Sequence, residues 1–255
     1  MQYGICPLSI VPVRKEPDDR SEMTNQILFG EHFKVIELRK HWLKIRLAFD
    51  KYEGWICNKQ WNEISEEQYN SASSTTFLCS ELVSIVENGV EVLPITLGAS
   101  LPLLQDEQIC LGDQNMVFKG ESVNGVLDRN QLIEFAYSYI NSPYLWGGKS
   151  LFGIDCSGFT QMVYKLCGYQ LLRDAYQQAS QGESLSFVEE AQPGDLAFFD
   201  NSEGRIIHVG IILGNYDIIH ASGKVRVDKI DHQGIFNKEL GTHTHQLRLI
   251  TRVLD

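Results

Sequence analysis

The sequence predicts an α+β protein in which helices come first and an antiparallel sheet follows, with a short-stranded β region ahead of both. Three observations carry this. Residues 1–62 hold short runs of β-branched, Leu and aromatic residues separated by turn signals. Residues 128–168 hold two helical periodicities. Residues 196–199, 206–213, 216–221 and 247–253 then read as strands with no helix-length pattern between them, so they belong to one α+β domain.

In the first region the runs are 5–13, 32–38, 42–47 and 54–57, separated by Pro17-Asp18-Asp19, Gly30-Glu31 and Asp50-Lys51-Tyr52-Glu53-Gly54. Strands this short and closely spaced suggest a small barrel over residues 1–62. Residues 63–76 are polar and end in Ser71-Ala72-Ser73-Ser74-Thr75-Thr76, which reads as a linker. Residues 77–122 return to short strands at 82–86, 90–93, 101–104 and 116–118, read as a second, degenerate barrel or an extension of the main domain. That domain covers 125–255. Asp128 and Gln131 are spaced as a capping box, and Leu132, Phe135, Ala136, Tyr139 and Ile140 line one face of the helix behind them.

Composition bounds what such a protein does. Of 255 residues, 43% are apolar and 22% charged, an ordinary globular balance. The 22 basic and 33 acidic residues leave a net charge of −11, which speaks against binding a nucleic-acid backbone or an anionic membrane surface. Six cysteines (Cys6, Cys57, Cys79, Cys110, Cys156, Cys167) lack CxxC pairs or regular spacing, as expected of reduced thiols rather than a disulfide framework. Residues 4–13 are apolar but carry Pro7 and Pro12, lack a basic start and run into Lys15-Glu16-Pro17-Asp18-Asp19. This is not the pattern of a signal peptide, and no apolar run reaches membrane-spanning length. A cytoplasmic protein is the expectation.

The second helical pattern carries the chemistry. Phe159, Met162, Val163, Leu166 and Cys167 recur at helical spacing, and Gly168 supplies the left-handed stop. Asp155 is placed to cap the helix, which makes Cys156 its first residue, where the partial positive charge of the helix end favours a thiolate. His208 and His220 flank a turn at Gly214-Asn215. A hairpin symmetric about residue 214 sets them directly opposite on one face, about 5 Å apart at Cβ. A two-residue loop breaks that register. Cys156, His208 and His220 then form the nucleophile, base and orienter used by papain-like enzymes. Backbone N–H groups at the helix start, with the Tyr144 hydroxyl, are the oxyanion candidates. The same three side chains are a possible zinc set, but the helix cap explains the cysteine without metal, so no metal and no cofactor are expected.

Tyr144-Leu145-Trp146-Gly147-Gly148, Asp155-Cys156-Ser157-Gly158-Phe159, Pro193-Gly194-Asp195, His208-Val209-Gly210-Ile211 and Ile219-His220-Ala221-Ser222 resemble, in order, the NlpC-type family of papain-like cell-wall peptidases. Trp42-Leu43-Lys44-Ile45 with Tyr52-Glu53-Gly54-Trp55-Ile56 resembles the bacterial SH3-like barrels attached to such enzymes. Arg20-Ser21-Glu22-Met23 and Phe29-Gly30-Glu31 extend the likeness to γ-D-glutamyl-L-diamino acid endopeptidases with N-terminal SH3-like barrels.

The resemblance implies a papain-like C-terminal catalytic domain with Cys156 as nucleophile, His208 as base and His220 as third residue. It implies hydrolysis of free murein peptides between D-Glu and the diamino acid, with an unblocked N-terminal L-Ala required and L-Ala-D-Glu released. The partner is then a murein tripeptide or related stem peptide, and either diaminopimelate or lysine fits as the diamino acid; the oligomeric state is not read from the sequence, and a monomer is the expectation. Tyr144, Trp146, Asp155 and Ser157 line the implied cleft, with Glu22 and Tyr52 of the barrel holding the substrate amine. A carboxylate beside the nucleophile opposes the thiolate, so Asp155 makes most sense if it also pairs with a cation, such as that amine. Ala175 departs from the small hydroxyl residue expected of relatives. A non-catalytic wall-peptide binder and an amidase or acyltransferase on the same chemistry are the alternatives.

Overall fold

The computed structural model describes residues 2–74 and 76–254, and its contacts divide the chain into two compact units. The first is Met1–Gly125 with Trp146–Leu151; the second is Val126–Leu145 with Phe152–Asp255. The C-terminal domain expected over 125–255 therefore gives up residues 146–151 to the first unit. Their anchors there are specific. The Lys149 backbone N–H donates to Gln26 Oε1 at 2.8 Å, and its fully buried ammonium sits 3.1 Å from Glu31 Oε1. A buried ammonium is tolerable only with such a partner.

In the first unit, strands Gln2–Ile5 (β1), Ile10–Arg14 (β2), Met23–Leu28 (β3), His32–Leu38 (β4), Trp42–Leu47 (β5), Glu53–Cys57 (β6) and Asn62–Ile64 (β7) form one antiparallel sheet in the order β3-β2-β6-β5-β4-β1-β7. Alternate residues Val11, Val13, Phe33, Val35, Leu43 and Ile45 point into a common core, the period-2 burial of a barrel wall. The linker expected over 63–76 is a correction: Glu66–Ser74 (α1) is a helix. Its start is a reciprocal cap, Gln68 N–H to Ser65 Oγ at 3.1 Å and Ser65 N–H to Gln68 Oε1 at 2.8 Å, and Tyr69 and Ala72 are buried. The S-x-x-Q signal outweighs the Ser/Thr content behind it. Thr75 lies outside the described residues.

The remaining strands of this unit are Thr76–Cys79 (β8), Val83–Glu87 (β9), Val92–Thr96 (β10), Ser100–Pro102 (β11), Gln108–Leu111 (β12), Gln114–Phe118 (β13) and Ser122–Val123 (β14). They make two small sheets, β10-β9-β13-β12 and β11-β8-β14. Val86, Ile95, Leu101, Ile109 and Phe118 from these sheets share one apolar cluster with Tyr3, Ile5, Phe29 and Ile64.

The second unit opens with Arg129–Ser138 (α2), whose Asp128/Gln131 capping box forms as expected. After Lys149–Ser150 (β15, in the first unit) and Gly153–Ile154 (β16) comes Cys156–Leu166 (α3), then Ala175–Gln178 (α4). The strands are Glu183–Leu185 (β17), Leu196–Asp200 (β18), Ile206–Gly214 (β19), Asp217–Ser222 (β20), Lys224–Ile230 (β21), Gly234–Asn237 (β22) and Thr242–Arg252 (β23). Their order is β17-β23-β18-β19-β20-β21-β22, and a β22–β23 pairing closes the sheet on itself. Ala197, Phe199, Ile212, Ile218, Ile230, Ile235 and Ile250 fill the enclosed core.

The expected one-sided burial of α3 is also corrected: every residue from Cys156 to Leu166 is buried. The helix packs against β19, β20, α2 and α4, so it has no solvent face. Its ends follow the sequence reading. Asp155 accepts from Gly158 N–H at 2.7 Å, and Gly168 (φ +81°) closes a Schellman motif through Gly168 N–H to Lys165 O and Tyr169 N–H to Tyr164 O.

Candidate active site

A close-packed helix start meets the middle of the sheet at Cys156. Cys156 is buried at the start of α3, which packs against β19, the strand that carries His208, and the backbone amides of Val209 on β19 and Ser157 on α3 favour its ionised form. The first turn of α3 is held by Gln178, which donates to Ser157 O at 3.0 Å and accepts from Thr160 Oγ1 at 2.7 Å.

His208 and His220 touch, with 2.8 Å between His208 Nε2 and His220 Nδ1. They do not sit directly opposite, as a hairpin symmetric about residue 214 requires; His220 faces Gly210. The turn is the two-residue one, with Asn215 and Tyr216 both at positive φ (51° and 58°) and Gly214 paired with Asp217. Continued regularly, that pairing sets His220 opposite Ile211 and turns the two imidazoles to opposite faces. The register shift between Ile212 and Gly214 inserts one residue and restores the face. Gly210 completes the arrangement. A Cβ there would lie 2.9 Å from His220 Cβ and 2.8 Å from Ile218 Cδ1, so only glycine leaves His220 room to lean toward His208.

The chain of contacts continues beyond His220. Its Nε2 lies 3.0 Å from Asp228 Oδ2 on β21, and Arg226 grips the same carboxylate through Nε to Oδ2 at 2.7 Å and Nη2 to Oδ1 at 3.0 Å. Burial, the largest influence, pushes the Asp228 carboxyl up, but hydrogen bonds from His220 and Arg226 outweigh it and hold it below its ordinary 3.8. His245 of β23 stacks on the His208 ring with centroids 4.2 Å apart, and Phe199 packs against the same ring at a tilt, centroids 5.8 Å apart. In this dry cluster burial, then His220 and His245, hold His208 well below its ordinary 6.5. His245 falls to about 4, through burial first and then His220. Both rings are neutral at physiological pH.

Neutral buried histidines carry a stability prediction. An unfolded histidine titrates near 6.5, so as pH falls the unfolded chain takes up protons before these two do. The stability they contribute is complete above pH 6.5 and is lost as pH falls toward their folded values. Thermal melts between pH 7.5 and 4.5 are expected to show Tm dropping on the acid side of 6.5. His208→Gln is expected to flatten that slope; an unchanged slope refutes the assignment to His208.

The thiol behaves differently from the sequence expectation. Burial first, then the Asp155 charge, pushes Cys156 up to about 12, against the amides of Val209 and Ser157 and the charge of Arg173. Burial and the Asp155 charge thus oppose the thiolate that the helix end favours. A neutral thiol and a neutral imidazole are the protonation states that general-base catalysis starts from.

Asp155 already has a cation. Arg173, 1% exposed, donates to Asp155 Oδ1 at 2.9 Å and Oδ2 at 2.7 Å and to Ser157 Oγ at 3.0 Å. The charge argument for a substrate ammonium at Asp155 is met within the protein, which removes its force. Tyr144 is anchored by its N–H to Gly223 O at 3.0 Å and by a bridge to Ile154. Burial, then Cys156 and Asp155, raise its hydroxyl, so it stays a protonated donor. Trp146, Glu22 and Tyr52 belong to the first unit. Trp146 Nε1 donates to Glu22 Oε1 at 2.8 Å, Lys15 lies 3.6 Å from Glu22, and Tyr52 packs on the barrel core.

Three residues of this centre escape a reading of the sequence. Arg173 has no local signature, since its partner is set by tertiary packing. Asp228 lies in Lys224-Val225-Arg226-Val227-Asp228-Lys229-Ile230, where alternation of charged and apolar residues marks a strand with one polar face. His245 lies in Thr242-His243-Thr244-His245, ahead of the apolar stretch 247–253 but inside β23.

Fold and centre together define a papain-like cysteine peptidase carrying an SH3-like barrel. Residues 141–244 match the NlpC/P60 family and residues 13–60 the bacterial dipeptidyl-peptidase SH3 domain, so the chain carries an NlpC/P60 domain behind a bacterial SH3 domain. It is 28% identical to dipeptidyl-peptidase 6 of Lysinibacillus sphaericus, over 89% of this chain and 92% of that one. It is 28% identical to the γ-D-glutamyl-L-lysine dipeptidyl-peptidase of Bacillus subtilis, over 84% and 78%. A solved NlpC/P60 family protein from Bacillus cereus superposes with a TM-score of 0.85 over 99% of this chain and 100% of that one; at 20% identity the likeness is one of fold.

Proposed function

We propose that this protein hydrolyses the γ-D-glutamyl bond to the diamino acid in free murein peptides whose N-terminal L-Ala is unblocked, releasing L-Ala-D-Glu in the cytoplasm. The observation that carries the chemistry is the buried Cys156 thiol at the start of α3, packed against β19, whose His208 lies 2.8 Å from His220. The relatives named for dipeptidyl-peptidase activity, one of them on γ-D-glutamyl-L-lysine, support the substrate class.

In this reading Cys156 Sγ attacks the γ-carbonyl carbon while its proton passes to His208 Nδ1. The oxyanion is held by backbone N–H of the α3 start and by the Tyr144 hydroxyl. Collapse breaks the C–N bond, and His208 returns the proton to the departing amine of the diamino acid. His208 next takes a proton from water, whose oxygen attacks the thioester; the carboxylate leaves and the thiol is restored. Asp155 and Ser157 govern substrate affinity, with Asp155 acting through the charge it shares with Arg173.

The test offers L-Ala-γ-D-Glu-diaminopimelate and its lysine counterpart, each with a free and an acetylated N-terminus, and follows products by mass spectrometry. Release of L-Ala-D-Glu from the free peptides, with acetylation lowering kcat/KM at least tenfold, is expected. Equal cleavage of acetylated peptides refutes recognition of the amine. Cleavage of none refutes the substrate class.

A further inference from the structure

We propose that Asp228, clamped by Arg226, is a positioning residue that assigns the tautomers of both histidines and so makes His208 Nδ1 the base. The inference rests on the reading of Cys156 and His208 as nucleophile and base.

The argument is one of donor and acceptor arithmetic. Asp228 is buried on β21, two residues beyond Arg226, which pairs directly with His220, so the three side chains share one face. Arg226 donates to both carboxylate oxygens, which keeps Asp228 an acceptor only. His220 Nε2, 3.0 Å from Oδ2, must therefore carry a proton. In this proposal His220 and His208 each carry one N–H, so His220 Nδ1 presents a lone pair. His208 Nε2, 2.8 Å away, must then be the donor, and the one lone pair left on a neutral His208 is at Nδ1. With Asp228 absent, both rings could exchange tautomers together, and the alternative pair has Nδ1 of His208 protonated and unable to accept the thiol proton. Asp228 touches neither substrate nor thiol in this scheme; it acts through His220.

Two measurements test this on the full chain. Long-range ¹⁵N–¹H correlation spectra of the wild type, without substrate, are expected to show His208 and His220 both protonated at Nε2; an Nδ1-protonated His220 overturns the proposal whatever any variant does. Asp228→Asn and Asp228→Ala are then compared with wild type. Each is expected to show mixed tautomers, a roughly 10- to 100-fold loss of kcat with KM within twofold, and a parallel fall in the alkylation rate of Cys156 by iodoacetamide, read by peptide mapping. A folded variant with unchanged kcat and unchanged tautomers overturns the proposal. If wild type cleaves no murein peptide, the substrate reading fails, while the tautomer spectra and alkylation rates still decide the role of Asp228.

Discussion

Replacing Cys156 by alanine is expected to abolish peptide cleavage, a fall on the order of 10⁴-fold or more in kcat, without unfolding the protein. Cys156 is buried at the start of α3, which packs against β19, the strand that carries His208. Removing one sulfur leaves a small void, so circular dichroism and Tm should change little beside the loss of activity. Peptide binding to the alanine variant, measured by calorimetry, should survive. Cleavage at the wild-type rate removes the thiol from the mechanism; loss of binding together with activity makes the residue structural.

The largest stability effect is expected at Arg173. Arg173→Met keeps most of the side-chain volume but leaves the Asp155 carboxylate buried without its bidentate partner. Breaking a buried pair from one side costs about 3–5 kcal/mol, read from urea unfolding. The double variant Asp155→Asn, Arg173→Met is expected to recover most of that loss, because Asn still caps a helix and no charge is stranded. A small loss for the single variant, or no recovery in the double, refutes the pairing as the reason Arg173 is buried.

Legibility in the sequence followed the range of the interaction. The caps at Asp128 and Asp155, the stop at Gly168 and the strands around Phe33 and Ile45 are set by neighbours within a few residues, and each formed as read. The α1 helix was equally local, and its Ser65/Gln68 cap was present in the sequence beneath a misleading serine run. The histidine pair was legible as a pair but not as a register. Its contact arises through a two-residue turn, a bulge and Gly210, three features whose effects on face cancel only when all are counted.

By itself, then, the sequence determined that a capped helix begins at a cysteine and that two histidines lie on adjacent strands, because caps, periodicities and hairpins are short-range physics. Tertiary structure alone decided the state and company of those groups. Burial on every side of α3 pushes the thiol toward its neutral form where the helix end alone favours a thiolate. Arg173 answered the charge of Asp155, and Asp228 with Arg226 extended the histidine pair into a directed chain. These are matters of desolvation and of charges brought together from distant parts of the chain, and neither is written in local spacing.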